Sequence, residues 1–328
     1  MTVLCVGETM AQIVPIDGAR LVDAETFAMT AAGAESNVAV SLSRLGSAAR
    51  WASRVGDDPV GTRVVQAVTA AGVDTSLVER VAGARTGMFL KDPSSGGSAV
   101  HYYRVGSAAS RMDTAFADVM LATAPRWIHF TGVTVALSES TAAMADRLLD
   151  GAGRSGIPVS FDVNYRSSLW SSRPEAARRL RQVASRADVV FVGLDEAQSL
   201  WGIETPDDVR ALLPAVKTVI VKDGPVECVS FDGERVLRMP ALEVDVVEPV
   251  GAGDAFAAGY IHARIARLEP LSQLRLAHLN AGVALRSHSD TGPLDGAIGL
   301  VSRACTGIDW PDALAATAQQ NRRDHASI

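Results

Sequence analysis

Four consecutive residues, Gly251-Ala252-Gly253-Asp254, join a glycine turn and an acidic side chain to the start of a long apolar stretch. Residues 255–265 read Ala-Phe-Ala-Ala-Gly-Tyr-Ile-His-Ala-Arg-Ile, the composition of a buried helix. Glycines let backbone approach a ligand closely, and the free N–H groups at a helix start, carrying about half a positive charge, form an anion site. A phosphate fits there. The carboxylate beside it has two readings: Asp254 caps the helix, as aspartate commonly does, or it is a general base next to a phosphoryl-binding turn. The turn lacks the Gly-Lys-Ser/Thr ending of a nucleotide P-loop. Its Gly-x-Gly has neither the third glycine nor the place in the first βα turn that a dinucleotide fingerprint requires.

Other stretches also carry chemistry. Asp162-Val163-Asn164-Tyr165-Arg166 follows an apolar run and lies at the carboxyl end of a predicted strand, where open α/β sheets bind ligands. The bland alternative is a turn with surface charge; the functional one uses Arg166 to hold a carboxylate by two parallel hydrogen bonds. In the run from His101 to Ser110, Tyr102 and Arg104 share one strand face because alternate residues do, although an amphipathic edge strand would read the same way. Gly33-Ala34-Glu35-Ser36-Asn37 opens a predicted helix with Val38, Leu42 and Leu45 at helical spacing, stopping at Gly46. Residues 55–61, Val-Gly-Asp-Asp-Pro-Val-Gly, read as a structural turn.

These candidates need elements to hold them. Val3-Leu4-Cys5-Val6 reads as a strand buried on both faces, and from residue 126 apolar strands alternate with helices as far as residues 218–221. That alternation predicts an α/β fold, a doubly wound, mostly parallel sheet with helices on both faces. Residues 226–231 and 235–239 predict an antiparallel edge hairpin, and residues 244–247 read as the end of a strand before the glycine turn. Residues 11–27, around Ile16-Asp17-Gly18-Ala19, and residues 86–91 with 99–104 predict two further hairpins that build one small sheet.

Composition narrows the classes. With 328 residues, 48% hydrophobic and 21% charged, the chain has ample core, and a net charge of −6 without a basic segment argues against nucleic acid. No apolar run reaches a membrane span, and the N-terminus enters a strand without a leader pattern, so a cytoplasmic location and no membrane partner are expected. Cys5, Cys228 and Cys305 are odd in number and far apart, which fits a reducing compartment and gives neither a disulfide framework nor a zinc cluster. His101, His129, His262, His278, His288 and His325 show no ligand spacing and read as structural.

The Gly251-Ala252-Gly253-Asp254 signature resembles that of the ribokinase-like (phosphofructokinase-B) carbohydrate kinases, and the rest of the chain supports the resemblance from Val3 to about Gly292. The resemblance implies a ribokinase-like fold: a single kinase domain over residues 1–310, a β-sheet lid from about 9–30 and 86–106, and a polar tail over 311–328. It implies Asp254 as general base, with Gly251, Ala252 and Gly253 as the anion hole. Gly33, Asn37, Tyr102, Arg104 and Arg166 would bind the sugar together with Asp254. Asn164, Glu196, Lys222, Gly224, Gly251, Gly253 and Asn280 would lie at ATP, with Glu196 holding Mg²⁺ through water. An unperturbed aspartate, with a pKa of about 3.9, is a weak base for an alkanol, so proton transfer is expected late.

Tyr102-Tyr103-Arg104 followed by Gly106-Ser107-Ala108 is similar to bacterial 2-keto-3-deoxygluconate kinases, which implies a sugar acid phosphorylated at its terminal hydroxyl. A fructokinase, a 2-keto-3-deoxygalactonate kinase or another sugar kinase shares the same catalytic turn, and a catalytically silent sugar-binding protein would keep the fold. Three departures from the family pattern stand out. Glu248-Pro249-Val250 replaces the usual Asp-Thr-Thr or Asp-Thr-Val and puts a monovalent cation in doubt; Gly193 stands where an Asn precedes Glu196; and Phe89 stands near a usual Tyr. The lid leaves room for a homodimer or higher homo-oligomer.

Overall fold

The computed structural model describes residues 2–93, 99–287 and 304–305. The polar tail over 311–328, His288, His325 and the turn at 94–97 lie outside them.

Strands β1 (Thr2–Val6), β2 (Met10–Pro15) and β3 (Phe27–Ala32) are followed by helix α1 (Ala34–Arg44), β4 (Ala48–Gly56), α2 (Pro59–Ala70) and β5 (Asp74–Val81). Next come β6 (Met88–Asp92), β7 (Ala99–Tyr103), α3 (Thr114–Ala122), β8 (Trp127–Thr131), α4 (Gly132–Ala136), α5 (Glu139–Ser155) and β9 (Val159–Asp162). The chain continues through α6 (Arg173–Ala184), β10 (Val189–Gly193), α7 (Leu194–Trp201), α8 (Pro206–Leu212), β11 (Thr218–Asp223), β12 (Glu227–Asp232) and β13 (Arg235–Pro240). Helices α9 (Ala252–Ile265) and α10 (Pro270–Leu285) complete the described elements.

The large sheet runs β13-β12-β11-β10-β9-β8-β1-β4-β5 and is parallel from β11 to β5, with the predicted antiparallel hairpin β12–β13 at its edge. Strand order reverses between β1 and β8, which opens a crevice at the carboxyl ends of those strands. Strands β1, β8, β9 and β10 are buried on both faces, which is why they read as largely apolar runs. Leu4 and Val6 pack with Phe116, Met144 and Leu180 on one side, whereas Val3 and Cys5 pack with Val38, Leu42 and Ile261 on the other. Helices α3–α8 therefore cover one face and α1, α2, α9 and α10 the other.

The second sheet, ordered β3-β2-β6-β7, unites the two predicted hairpins through parallel pairing of β2 with β6. The first hairpin pairs Met10 with Ala32 and Pro15 with Phe27, so its return strand begins where the sequence reading ended it. Residues 244–247 form no strand: the amides of Val247 and Glu248 both donate to the Leu285 carbonyl, and Val246 and Val247 are exposed. A run rich in valine has high strand propensity, but among the described residues no neighbouring strand offers it a ladder.

Candidate active site

Asp254 does not cap its helix. Gly251 is the N-cap of α9, at φ +86°, a left-handed conformation that glycine adopts without penalty, and Asp254 is the third residue inside. Its Oδ2 instead accepts a hydrogen bond from Asn37 Nδ2 at 2.9 Å, bridging α9 to α1. The Ala252 amide donates weakly to the Pro249 carbonyl at 3.4 Å, and the Gly253 and Asp254 amides make no backbone bond of this kind among the described residues. These groups, with the helix dipole, fit an anion.

Three further strands deliver charge to this turn. Asp162 ends β9, Lys222 is the penultimate residue of β11, and Glu196 is the third residue of α7, which follows β10 directly. Lys222 Nζ donates to Asp162 Oδ2 at 2.9 Å, and a Cβ built on Gly253 would lie 3.3 Å from that ammonium. Glu196 Oε2 accepts from the Gly193 amide at 3.1 Å, and Oε1 lies 3.6 Å from Arg166 Nη1. Burial pushes the Asp254 carboxyl up to about 8; the Asn37 bond opposes this, the Asp162 and Glu35 charges add to it, and Lys222 opposes it. The sequence reading took this group as unperturbed, and burial beside like charges overturns that. Burial also raises Glu196, with Asp162 adding and Lys222 opposing. Burial alone would lower the Lys222 ammonium, but Asp162, Glu196 and Asp254 outweigh it and raise the group. An aspartate poised near neutrality beside an anion-binding turn is equipped to take a proton.

The other predicted residues fall in distinct places. Gly33 packs against backbone: a Cβ there would come within 2.8 Å of Thr9 Cα and collide with the Glu8 carbonyl. Arg104 is drawn to the buried Glu8, whose other oxygen accepts from Ser107 Oγ at 2.5 Å. Tyr102 is exposed on β7, with its ring 5.7 Å from Phe89. Asn164 follows β9 at φ +37° with a buried Oδ1 that meets no partner among the described residues. Gly224 takes the turn after β11 at φ +45° and is exposed. Asn280 is buried on α10 and donates to the Ala255 carbonyl at 2.6 Å, locking α10 to α9. Asp57 is exposed, whereas its neighbour Asp58 caps α2 through the Gly61 amide and holds Thr86. His129 and His278 are buried and pulled down to about 4 by burial, so they stay neutral.

Residues 1–296 match the model of the pfkB family carbohydrate kinases. This chain belongs to the pfkB family of carbohydrate kinases. It is 35% identical over 260 residues to 2-dehydro-3-deoxygluconokinase of Bacillus subtilis (strain 168), covering 78% of this chain and 80% of that one. It is 30% identical over 264 residues to fructokinase-1 of Oryza sativa subsp. japonica, covering 79% and 81%. The crystal structure of a PfkB protein from Polaromonas sp. JS666 superposes with a TM-score of 0.81 at 33% identity, covering 88% and 97%. The fold is ribokinase-like, with the mostly parallel sheet and the smaller second sheet.

Within this pfkB-family chain, sequence reasoning passed over three charged residues that organise the site. Glu8, at the exit of β1, anchors Arg104, and Glu35, in the first turn of α1, is wholly buried. Lys91 on β6 is buried and pairs with Glu248 at 3.1 Å, whose second oxygen accepts from the Val250 amide just before the Gly251 turn. An acidic or basic residue inside an otherwise apolar helix start or strand was the available signal, because charge is rarely buried without a partner. Among the described residues no helix is long and apolar enough to cross a membrane.

Proposed function

We propose that this pfkB-family kinase transfers the γ-phosphoryl group of ATP to the terminal hydroxyl of 2-dehydro-3-deoxygluconate (2-keto-3-deoxygluconate), giving the 6-phosphate. The observation that carries the reading is Asp254, raised to about 8 and held by Asn37 at the start of α9. The ionised Asp254 oxygen accepts the hydroxyl proton while the sugar oxygen attacks the γ-phosphorus, whose bond to the β,γ-bridging oxygen breaks and releases ADP. The Gly253 and Asp254 amides, with the α9 dipole, stabilise the charge that develops on the phosphoryl oxygens. Lys222 faces the same charge from β11.

The residues present fit a divalent ion of the kind phosphoryl transfer uses. Mg²⁺ is held by one or two carboxylates together with phosphates, and Asp162 and Glu196 sit beside the anion turn while no group of three ligating side chains gathers among the described residues. When bound, it neutralises charge on the phosphates. Asn164, with an unmet buried Oδ1, and Gly224 border the nucleotide side in this reading. Asn280 acts there indirectly, through its bond to the Ala255 carbonyl. The smaller sheet serves as lid, bringing Tyr102 over the sugar, and the half-exposed Arg166 is available to a carboxylate.

One observation favours a neutral ketose instead. Arg104 already has its charge answered by the buried Glu8, which leaves Arg166 as the main cation for a sugar acid. A coupled ADP-release assay with Mg²⁺-ATP on 2-dehydro-3-deoxygluconate, its galactonate epimer, fructose and ribose separates the readings. Preference for the keto-deoxy acids supports the proposal, preference for fructose makes the chain a fructokinase, and silence on all four removes both.

A further inference from the structure

Glu35 occupies the crevice where the strand order of the large sheet reverses. It lies in the first turn of α1, and its carboxyl sits between Gly7, at the end of β1, and Thr131, at the end of β8. A Cβ on Gly7 would fall 2.6 Å from Glu35 Oε1 and closer still to the rest of the carboxyl, so the glycine makes the space the acid fills. Oε1 accepts three donors: the Thr131 amide at 3.0 Å, Thr131 Oγ1 at 2.8 Å and Thr134 Oγ1 at 2.7 Å. Oε2 meets no hydrogen-bond partner among the described residues, although the side chain is fully buried. A buried oxygen without a donor is a standing cost, and an apolar side chain would pack here without it. Two residues further along the same turn, Asn37 donates to Asp254.

We propose that Glu35 is a positioning residue for phosphoryl transfer: its carboxyl pins the first turn of α1 to the Thr131–Thr134 corner and thereby holds Asn37 on Asp254. The three donors converge on one oxygen from two successive elements, β8 and α4, so the turn that carries Asn37 is fixed to the sheet and cannot rotate about the α1 axis. Asn37 has one donor directed at Asp254, and a shift of about 1 Å in its Cα lengthens that bond beyond useful range. The proposal rests on Asp254 being the base, and it assigns Glu35 no contact with sugar or nucleotide.

The test is a double-mutant cycle on the full chain. Glu35→Gln keeps the shape and the accepting oxygen but replaces the carboxyl by an amide, loosening the three bonds at Oε1, and is expected to lower kcat by about tenfold with KM for ATP within about twofold of wild type. In the Asn37→Ala background the same substitution should change kcat by less than about twofold, because the contact through which it acts is gone. Equal fold-losses in both backgrounds, or an unchanged kcat in the single variant, overturn the inference. If Glu35→Gln does not fold, Thr134→Val removes one donor at nearly constant volume and is read in the same two backgrounds. Asp254→Asn, run alongside, keeps the two failures apart: a dead Asp254→Asn with additive Glu35 losses sinks only the role of Glu35, whereas a fully active Asp254→Asn sinks the base.

Discussion

In the proposed mechanism Asp254 concentrates the chemistry at the scale of one side chain. Its carboxyl stands near 8 because burial disfavours the anion, with Asp162 and Glu35 adding to it and Asn37 and Lys222 only partly offsetting it. General-base groups contribute about 10²–10⁴-fold, so Asp254→Asn should lower kcat by that order in a steady-state ADP assay, while sugar affinity measured by calorimetry changes little. In the free enzyme the base works only when ionised, so kcat/KM should rise with pH and level off above about 8. Stability runs the opposite way. A carboxyl whose folded pKa is raised contributes its stability fully below about pH 4 and loses it as pH climbs through the folded value. Ligand-free wild type should therefore fall in Tm relative to Asp254→Asn between about pH 4 and about pH 8 and change little above that, as scanning calorimetry would record. Arg166, paired loosely with Glu196 and half-exposed, is free to turn to a substrate carboxylate. Arg166→Ala should raise KM for the sugar acid by about tenfold or more and leave KM for fructose nearly unchanged, and equal effects on the two would exclude a carboxylate clamp.

At the scale of elements, the site depends on how α1, α9 and α10 meet. Gly33 lets the approach to α1 cross the Glu8–Thr9 backbone, where any Cβ would force the chains apart. Gly33→Ala should cost about 1–3 kcal/mol in urea unfolding, the usual price of overpacking. Asn280 ties α10 to the Ala255 carbonyl in the first turns of α9, beside Asp254. Asn280→Ala leaves that carbonyl without its partner and should destabilise by about 1–3 kcal/mol. Because α9 carries the anion turn, kcat should fall as well; an unchanged kcat would show that α9 is held independently of α10.

At the scale of the whole molecule, an ion pair among the described residues joins the small sheet to the segment before the glycine turn. Lys91 reaches from β6 to Glu248, and Glu248 in turn holds the Val250 amide ahead of Gly251. Glu248 stands in the segment where the chain departs from the Asp-Thr-Thr pattern. Lys91→Met removes the cation while keeping the stem, leaves Glu248 partly buried with less to balance it, and should lower Tm and raise KM for the sugar together. A change in Tm without a change in KM would show that the small sheet is not coupled to the turn.

Legibility in the sequence followed burial. The strands around residues 3–6, 128–130 and 189–192 are buried on both faces, so their apolar runs could be read directly, and the glycine-aspartate turn stood out because its residue types are rare together. Strand β4 escaped notice because Arg50 and Arg54 interrupt it; their charge is answered by Asp74 on β5, and by Glu79 and Asp113, none of which a local window relates to them. The run at 244–247 misled for the converse reason, since propensity cannot tell whether a neighbouring strand exists. By itself the sequence determined the fold class, the family signature and the identity of the acid in the turn, because those rest on local pattern. Only the tertiary structure decided that Asp254 faces Asn37 and is not a cap, that its proton is held up to about pH 8, and that Arg104 is committed to Glu8. Each of these depends on residues nearly a hundred or more positions apart, and the balance of burial against charge exists only once the chain has brought them together.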